Sequence, residues 1–152
     1  MILSPDHFLI DADGNYSWSP SQVKAAWAAT ERRVKEFLED PRYKKLVLLV
    51  GIPGAGKSTW LRQHADPFTI YVDATFTLLM ARKPFVELAQ QANKQVEAVL
   101  LDTSFEECCR RNDLRSADRK VPLEKMIRFR DQLLDEPPTL EEGFTKVSRV
   151  GA

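Results

Sequence analysis

Residues 51–59 read GIPGAGKST, and this stretch decides the fold. It fills every fixed position of the pattern Gly-x-x-x-x-Gly-Lys-Ser/Thr. Glycines let a loop wrap a phosphate with its backbone N–H groups, the lysine reaches the outer phosphates of a nucleotide, and the hydroxyl joins Mg²⁺. We therefore expect a site for ATP and Mg²⁺, with Ser58 as a metal ligand. The nucleotide-binding residues would be Gly51, Pro53, Gly54, Ala55, Gly56, Lys57, Ser58 and Thr59.

The flanking residues support this interpretation. KLVLLV at 45–50 is a continuous apolar run, as a buried parallel strand should be. STWLRQHA at 58–65 is typical of a helix whose N-terminus holds phosphates. A chance glycine turn would not be expected between such a strand and such a helix.

Strand and helix patterns alternate along the rest of the chain. This order predicts an α/β fold: a single P-loop NTPase or kinase domain with a parallel sheet of about five strands, flanked by helices on both faces. Further strands are expected at 68–76, 96–104 and 145–150, helices at 19–39, 81–93 and 121–135, and a loop at 136–144.

The helix expected at 19–39 has a clear start. Ser19 is a suitable N-cap, Pro20 suits the first helical position, and Gln22 completes a capping box. Apolar residues recur on one face, and Trp27 among them is expected in the core rather than as a platform for a nucleic-acid base.

The composition limits the class of protein that this chain can be. The chain has 152 residues and a formal net charge of zero, which argues against a wholesale nucleic-acid binder but leaves room for a local basic patch. It holds no apolar run of membrane-spanning length and begins without a secretory signal pattern. Its two cysteines, Cys108 and Cys109, are adjacent, which suits a reducing cytoplasm. We expect one cytoplasmic domain over 1–152.

Two aspartates follow predicted strands. Ligands bind beyond the carboxyl ends of parallel strands, so Asp73 is a candidate metal-orienting acid, with a helix cap as the alternative. Asp102 is expected to help cap the next helix, together with Thr103 or Ser104.

Residues 110–130 are locally basic, with eight basic side chains against three acidic ones. An arginine of the loop at 112–121, such as Arg115 or Arg119, could reach over a bound nucleotide and stabilise the transferring phosphoryl group. The cluster could instead bind acceptor phosphates, or form a solvated helix face.

One part of a kinase is missing after the loop. Phosphoryl transfer to a hydroxyl usually needs a carboxylate that orients or deprotonates the acceptor. Only nine residues separate Thr59 from Thr69, which leaves no room for an extra strand and helix to carry it.

Several motifs together resemble the kinase domain of 5′-hydroxyl polynucleotide kinases, over residues 45–150. They are GIPGAGKSTWL, VDATF with RKPFVELA, VLLDTSFEECCRRNDLR, KVP and EPPTLEEGF. The resemblance implies that a base-bearing strand and its helix normally follow the P-loop helix. Here the opening MILSPDHFLI and the helix after it are similar to that unit, which predicts a permuted strand order: 1–44 as the transposed unit and 45–152 as the P-loop core, lid and last strand.

The resemblance also implies roles for single residues. Asp6 would be the general base, Asp73 would orient the metal, and Arg115 would be the lid arginine; Arg119 is expected to bind the nucleotide as well. The catalytic set is thus Asp6, Lys57 and Arg115. One position departs from the family, since Leu9 stands where a substrate-contacting arginine is expected.

The expected activity is ATP- and Mg²⁺-dependent transfer of the γ-phosphate to a hydroxyl of DNA or RNA, at a polynucleotide 5′ end. Two alternatives keep the chemistry and change the acceptor to a hydroxymethylated DNA base or a small molecule. A third, from another class, is an NTP-binding module without transferase activity, which would not need Asp6.

Overall fold

A computed structural model describes residues 1–10, 12–16 and 19–151. In this part of the chain, five strands alternate with five helices. The strands are β1 (Ile2–Leu3), β2 (Lys45–Val50), β3 (Thr69–Asp73), β4 (Gln95–Leu101) and β5 (Lys146–Val150). The helices are α1 (Pro20–Leu38), α2 (Lys57–His64), α3 (Leu79–Gln91), α4 (Phe105–Asp113) and α5 (Leu123–Asp135). None of these helices combines the length and apolar character needed to cross a membrane.

The five strands form one parallel sheet in the order β1-β3-β2-β4-β5. The predicted α/β class and parallel sheet are therefore confirmed. β3 lies between β1 and β2, with Tyr71 opposite Ile2 on one side and opposite Val47 on the other. Because all strands point the same way, the segments that follow β1, β2 and β3 leave the sheet at one edge.

Alternate residues of β2 build two separate cores. Leu46, Leu48 and Val50 face one cluster, which includes Val34 of α1 and Phe85 of α3. Val47 and Leu49 face the other cluster, which includes side chains of α2, α4 and α5. Helices therefore cover both faces of the sheet, which explains why β2 is apolar throughout.

Helix α1 starts as its sequence predicts. The Ser19 side chain accepts a hydrogen bond from the Gln22 amide, and Pro20 is the first helical residue. Trp27 packs edge-to-face on Phe76 and Phe85, with ring centroids 5.2 and 6.1 Å away. The expectation that Trp27 packs in the core therefore agrees with the structure.

Some boundaries differ from those expected. The strand expected at 68–76 ends at Asp73, and the one expected at 96–104 ends at Leu101. The predicted cap of α4 at Thr103 or Ser104 is confirmed, since the Ser104 side chain accepts from the Glu107 amide. The cap role expected for Asp102 is not observed, because Asp102 pairs with Arg149 at 3.2 Å. No local sequence pattern could predict this ion pair, because only the sheet brings β5, which holds Arg149, beside β4, which Asp102 follows.

A buried ion pair holds the predicted loop at 136–144 against α3. The Arg82 side chain is 0% exposed and donates to Glu142 at 2.8 and 3.0 Å, while Glu142 is 7% exposed. The same guanidinium donates to the carbonyls of Phe76 and Glu136, at 2.7 and 2.8 Å. Arg82 of α3 thus joins the segment after β3, through one hydrogen bond, to the segment after α5, through three.

Replacing Glu142 with alanine should leave the Arg82 charge buried without its carboxylate. We expect the free energy of unfolding to fall by about 3 to 5 kcal/mol, as when one partner of a buried ion pair is removed. Urea denaturation followed by circular dichroism measures this loss.

Glu87→Ala is the matched control on the same helix. Glu87 pairs with Lys83 at 4.0 Å, with side chains 52% and 57% exposed. Its loss should cost under about 1 kcal/mol. Equal losses in the two variants would contradict a special role for the buried pair.

Candidate active site

The loop between β2 and α2 has the backbone conformation of a phosphate cradle. Gly54 and Gly56 have φ of 85° and 99°, which side-chain-bearing residues rarely adopt. A Cβ on Gly54 would also lie 2.6 Å from the Cys108 carbonyl oxygen of α4. α2 begins at Lys57 with Gly56 as its N-cap and no side-chain cap, so its first amides remain available to an anion.

Lys57 lies over this loop. Its ammonium donates to the carbonyls of Gly51 and Ile52, at 2.8 and 3.2 Å. Burial lowers the pKa of Lys57, and the nearby Asp73 carboxylate opposes that effect. An ammonium held by these two loop carbonyls can exchange them for the oxygens of a phosphate.

Ser58, in the first turn of α2, meets Asp73, the last residue of β3. The Ser58 hydroxyl donates to an Asp73 carboxylate oxygen at 3.0 Å. The register that pairs Leu49 with Asp73 brings this carboxylate beside the loop. The alternative role of Asp73 as a helix cap is not observed, since Leu78 is the N-cap of α3 and no side chain caps it.

These two oxygens suit Mg²⁺. Mg²⁺ prefers oxygen ligands and is usually held by one or two carboxylates together with substrate phosphates and waters. In the described part of the chain, no group of three or more His, Cys, Asp or Glu side chains could hold a metal by itself. The donor set therefore fits a cation that arrives with a nucleotide, held by Ser58 and Asp73.

Two cavities open on either side of the loop. The first, of about 520 Å³, is lined by Gly54–Trp60 together with Thr103, Arg111 and residues at the end of β5. The second, of about 400 Å³, lies beyond Pro53 and Asp73, against the N-terminal segment, α1 and α5. Arg115 lines both. A nucleotide on the loop and an acceptor in the second cavity would therefore both lie beside this arginine.

Asp6 lies in the second cavity. It belongs to a single 3-10 turn, Pro5–Phe8, which follows the short strand β1 and is capped by Ser4. The Tyr16 hydroxyl lies 3.5 Å from an Asp6 carboxylate oxygen. Burial raises the pKa of Tyr16, and the Asp6 charge raises it further, so the phenol stays protonated and can donate.

The segment that carries Arg115 is tied at its two ends. The Asn112 side chain donates to the Val121 carbonyl at 2.7 Å and accepts from the Val121 amide at 3.0 Å. Arg115 is exposed between these points and contributes to the electrostatic field at Lys57. We call residues 113–120 the lid.

Arg119 does not line the nucleotide cavity, where its expected role in binding the nucleotide would place it. It lines the second cavity, not the first, and its guanidinium lies 4.8 Å from the centre of the Tyr16 ring. Leu9, at the position expected to hold an arginine, is 8% exposed and forms part of the wall of the same cavity.

Three residues of the site were missed by the sequence analysis. Arg111 donates to the Gly54 carbonyl at 3.1 Å, and Thr103 donates to the Ala55 carbonyl at 2.7 Å. Tyr16 is the third.

The signal that could have indicated Arg111 is its spacing of four residues from Glu107, which suits an ion pair on a helix. Arg110 donates to the same Glu107 carboxylate, so the spacing alone does not single out Arg111. These hydrogen bonds lower the pKa of Glu107 to about 2, with Arg110 the main cause.

The fold and site define a P-loop nucleotide-binding domain of kinase-like architecture. Residues 65–137 match the family model described as the AAA domain, from the turn before β3 to the end of α5. The match starts after the phosphate-binding loop, so the loop and the family similarity are separate observations. No curated protein matches the chain.

Lys57→Ala should weaken ATP binding about 10- to 150-fold, because hydrogen bonds to a charged group contribute about 1.5 to 3 kcal/mol. Isothermal titration calorimetry with ATP and Mg²⁺ measures the change. Lys35→Ala, which removes an exposed lysine of α1, should bind ATP like the unaltered protein. Equal affinities in the two variants would contradict the role given to Lys57.

Asp73→Asn should make ATP binding less sensitive to Mg²⁺, because a neutral amide is a poorer ligand for this cation. The measurement is ATP affinity across a Mg²⁺ titration, with half-saturation expected at higher Mg²⁺ in the variant. Asp102→Asn is the control, since Asp102 follows β4 of the same sheet but lines neither cavity. A curve unchanged in Asp73→Asn would remove Asp73 from the metal site.

Proposed function

We propose that the protein is an ATP- and Mg²⁺-dependent kinase that transfers the γ-phosphate to a hydroxyl of a nucleic acid, at a polynucleotide 5′ end. The observation that carries this proposal is the second cavity, which Asp6 lines together with Asp73 and Arg115. A domain that only binds a nucleotide has no need of this carboxylate or of a second cavity lined by it.

The proposed chemistry is in-line displacement. The acceptor hydroxyl oxygen bonds to the γ-phosphorus, the bond from that phosphorus to the β–γ bridging oxygen breaks, and the hydroxyl proton passes to Asp6. Lys57 and the loop amides hold the β- and γ-phosphates, and Arg115 offsets the charge of the transferring group. Mg²⁺, when bound, would neutralise phosphate charge beside Ser58 and Asp73.

The strand order supports the transposition that this proposal needs. β1 is an edge strand beside β3, and the turn after it carries Asp6. In the related kinases, the base-bearing unit is expected between the P-loop helix and the strand that ends at Asp73. We infer that β1 and α1 take the place of that unit from the front of the chain.

A single domain over 1–152 is part of the same proposal. α1 contributes Val34 and Leu38 to the core that β2, β3 and α3 share, so the N-terminal unit and the P-loop unit pack together. Removal of residues 1–44 would expose that apolar surface.

The charges around the second cavity favour a nucleic acid as the acceptor. On the lid and α5 side, one carboxylate, Asp118, lines it together with four basic side chains: Arg115, Arg119, Lys120 and Lys125. Phosphate contacts of this kind dominate the affinity of proteins for nucleic acids.

The apolar side chains of the same cavity favour a second candidate, a hydroxymethyl group on a modified DNA base. Leu9 and Val23 line the cavity on its N-terminal side, and Phe129 of α5 lines it beside the basic residues. A base turned out of a duplex is commonly held by stacking on apolar and aromatic side chains. The acceptor assay below therefore includes both substrates.

Asp6→Asn is the decisive variant. It should slow phosphoryl transfer at least about 100-fold, as expected for loss of a general base, while ATP affinity stays unchanged. Transfer of labelled phosphate is measured with 5′-hydroxyl DNA, 5′-hydroxyl RNA, hydroxymethylated duplex DNA and nucleosides side by side.

Asp13→Asn is the control, since Asp13 lies in the same N-terminal segment but lines neither cavity. Full activity in Asp6→Asn would refute the base assignment and the transposition. ATP binding without transfer to any acceptor would favour a nucleotide-binding module instead.

A further inference from the structure

The Tyr16 side chain lies between the proposed base and the lid. Its hydroxyl lies 3.5 Å from Oδ1 of Asp6, and the Arg119 guanidinium lies 4.8 Å from the centre of its ring. All three residues line the second cavity. An aromatic residue outside the predicted catalytic set therefore contacts both Asp6 and the lid.

The backbone of the N-terminal segment brings Tyr16 back to Asp6. Ile10 and Tyr16 form an antiparallel bridge, and Gly14 between them has a φ of 82°, a conformation that suits glycine. The Asp6 amide donates to the Ser4 side chain at 3.2 Å, which fixes the backbone of Asp6 as well. The contact between the two side chains thus follows from the fold of this segment.

The Asp6 carboxylate needs a partner that sets its orientation. The last torsion of an aspartate is broad, so its carboxylate turns easily. A base must bring an oxygen within hydrogen-bond reach of the proton that it takes. A phenol that donates to Oδ1 limits this rotation and leaves Oδ2 for the acceptor hydroxyl.

Arg119 can keep the Tyr16 ring in place, because an aromatic face attracts a guanidinium. The turn that carries Arg119 is itself held by hydrogen bonds. The amides of Arg119 and Lys120 both donate to the Ser116 carbonyl at 2.9 Å, and the Ser116 hydroxyl donates to Asp118 at 2.6 Å. A contact of 3.5 Å between Tyr16 and the carboxylate is long, so a small shift of the ring would break it.

We propose that Tyr16 positions the proposed base: its hydroxyl orients the Asp6 carboxylate for transfer, and Arg119 of the lid holds the Tyr16 ring at that carboxylate. This inference rests on the proposed kinase function and adds two positioning residues to its site. The acceptor proton passes to Oδ2 of Asp6, while Tyr16 keeps its own proton. The lid thereby acts on the base through Arg119 and on the transferring phosphate through Arg115.

Tyr16→Phe keeps the ring and removes only the hydroxyl. The kcat for transfer from ATP to a 5′-hydroxyl DNA oligonucleotide should fall about tenfold, as expected for loss of one hydrogen bond to a charged group. The KM values for ATP and for the oligonucleotide should not change, because Tyr16 acts on Asp6 and not on either substrate. A raised KM at an unchanged kcat would overturn the proposal.

Tyr43→Phe is the matched control. The Arg42 guanidinium lies 5.2 Å from the centre of the Tyr43 ring, but Tyr43 lines neither cavity. This variant should keep the full kcat. A loss equal to that of Tyr16→Phe would contradict a specific role for the Tyr16 hydroxyl.

Two double variants show whether the three residues act in series. In the Asp6→Asn protein, Tyr16→Phe should cause no further loss of transfer, since the carboxylate that it positions is already gone. Arg119→Gln alone should lower kcat and keep the acceptor KM, whereas in the Tyr16→Phe protein it should add no loss. Losses that multiply independently would leave Tyr16 and Arg119 with a merely structural role.

A titration of Tyr16 tests the contact without any transfer. Ionisation of the phenol is followed by absorbance, and subtraction of the Tyr16→Phe curve removes the signal of the two other tyrosines. Asp6→Asn should lower the pKa of Tyr16, because the carboxylate disfavours the phenolate. Arg119→Gln should raise the pKa of Tyr16, because the guanidinium favours the phenolate; Arg115 acts in the same direction and is present in both variants.

The two measurements separate this inference from the kinase function. A shifted pKa of Tyr16 without transfer to any acceptor would overturn the kinase function, and with it the positioning role, while the contact stands. Transfer that depends on Asp6, together with an unshifted pKa of Tyr16 in Asp6→Asn, would overturn the positioning role and keep the kinase function.

Discussion

The double pairing of β3 is the constraint on which the rest of the site depends. Tyr71 and Val72 pair with Ile2 and Leu3 on one side and with Val47 and Leu48 on the other. Because the three strands are parallel, the segments after them all leave at one edge of the sheet. The segments after β1 and β2 carry Asp6 and the phosphate-binding loop, and Asp73 is the last residue of β3. A strand of only two residues is enough to place Asp6, because the 3-10 turn after it is capped and begins with a proline.

A second layer of contacts holds the loop and the lid at that edge. α4 approaches Gly54 so closely that only glycine fits, while Arg111 and Thr103 donate to loop carbonyls. The same helix ends at the lid, whose limits Asn112 and Val121 tie together. Away from this edge, the buried pair of Arg82 and Glu142 holds the segment at 136–144 against α3. The lid is therefore fixed at both ends, while its two arginines, Arg115 and Arg119, remain exposed at the two cavities.

The fold was largely predictable because its elements are locally encoded. The apolar run of β2, the Ser19 cap of α1 and the glycine loop each depend on residues close in sequence. Three features were not predictable: the partner of Asp102, the role of Arg111, and the contact of Tyr16 with Asp6. In each case the two residues belong to different segments of the chain, so no helix or strand periodicity relates them. Arg119 shows the limit most clearly: its charge and loop were evident, but which cavity it faces depends on the position of Tyr16.

The amino-acid sequence by itself determined the phosphate-binding loop, the parallel α/β class and the resemblance that singled out Asp6. Glycine placement, apolar periodicity and capping act over a few residues, so they are readable without a structure. Only the tertiary structure decided that β1 lies beside β3, that Ser58 and Asp73 meet, and that Arg115 lines both cavities. Strand order and side-chain convergence arise from long-range packing of both sheet faces, which no local pattern encodes.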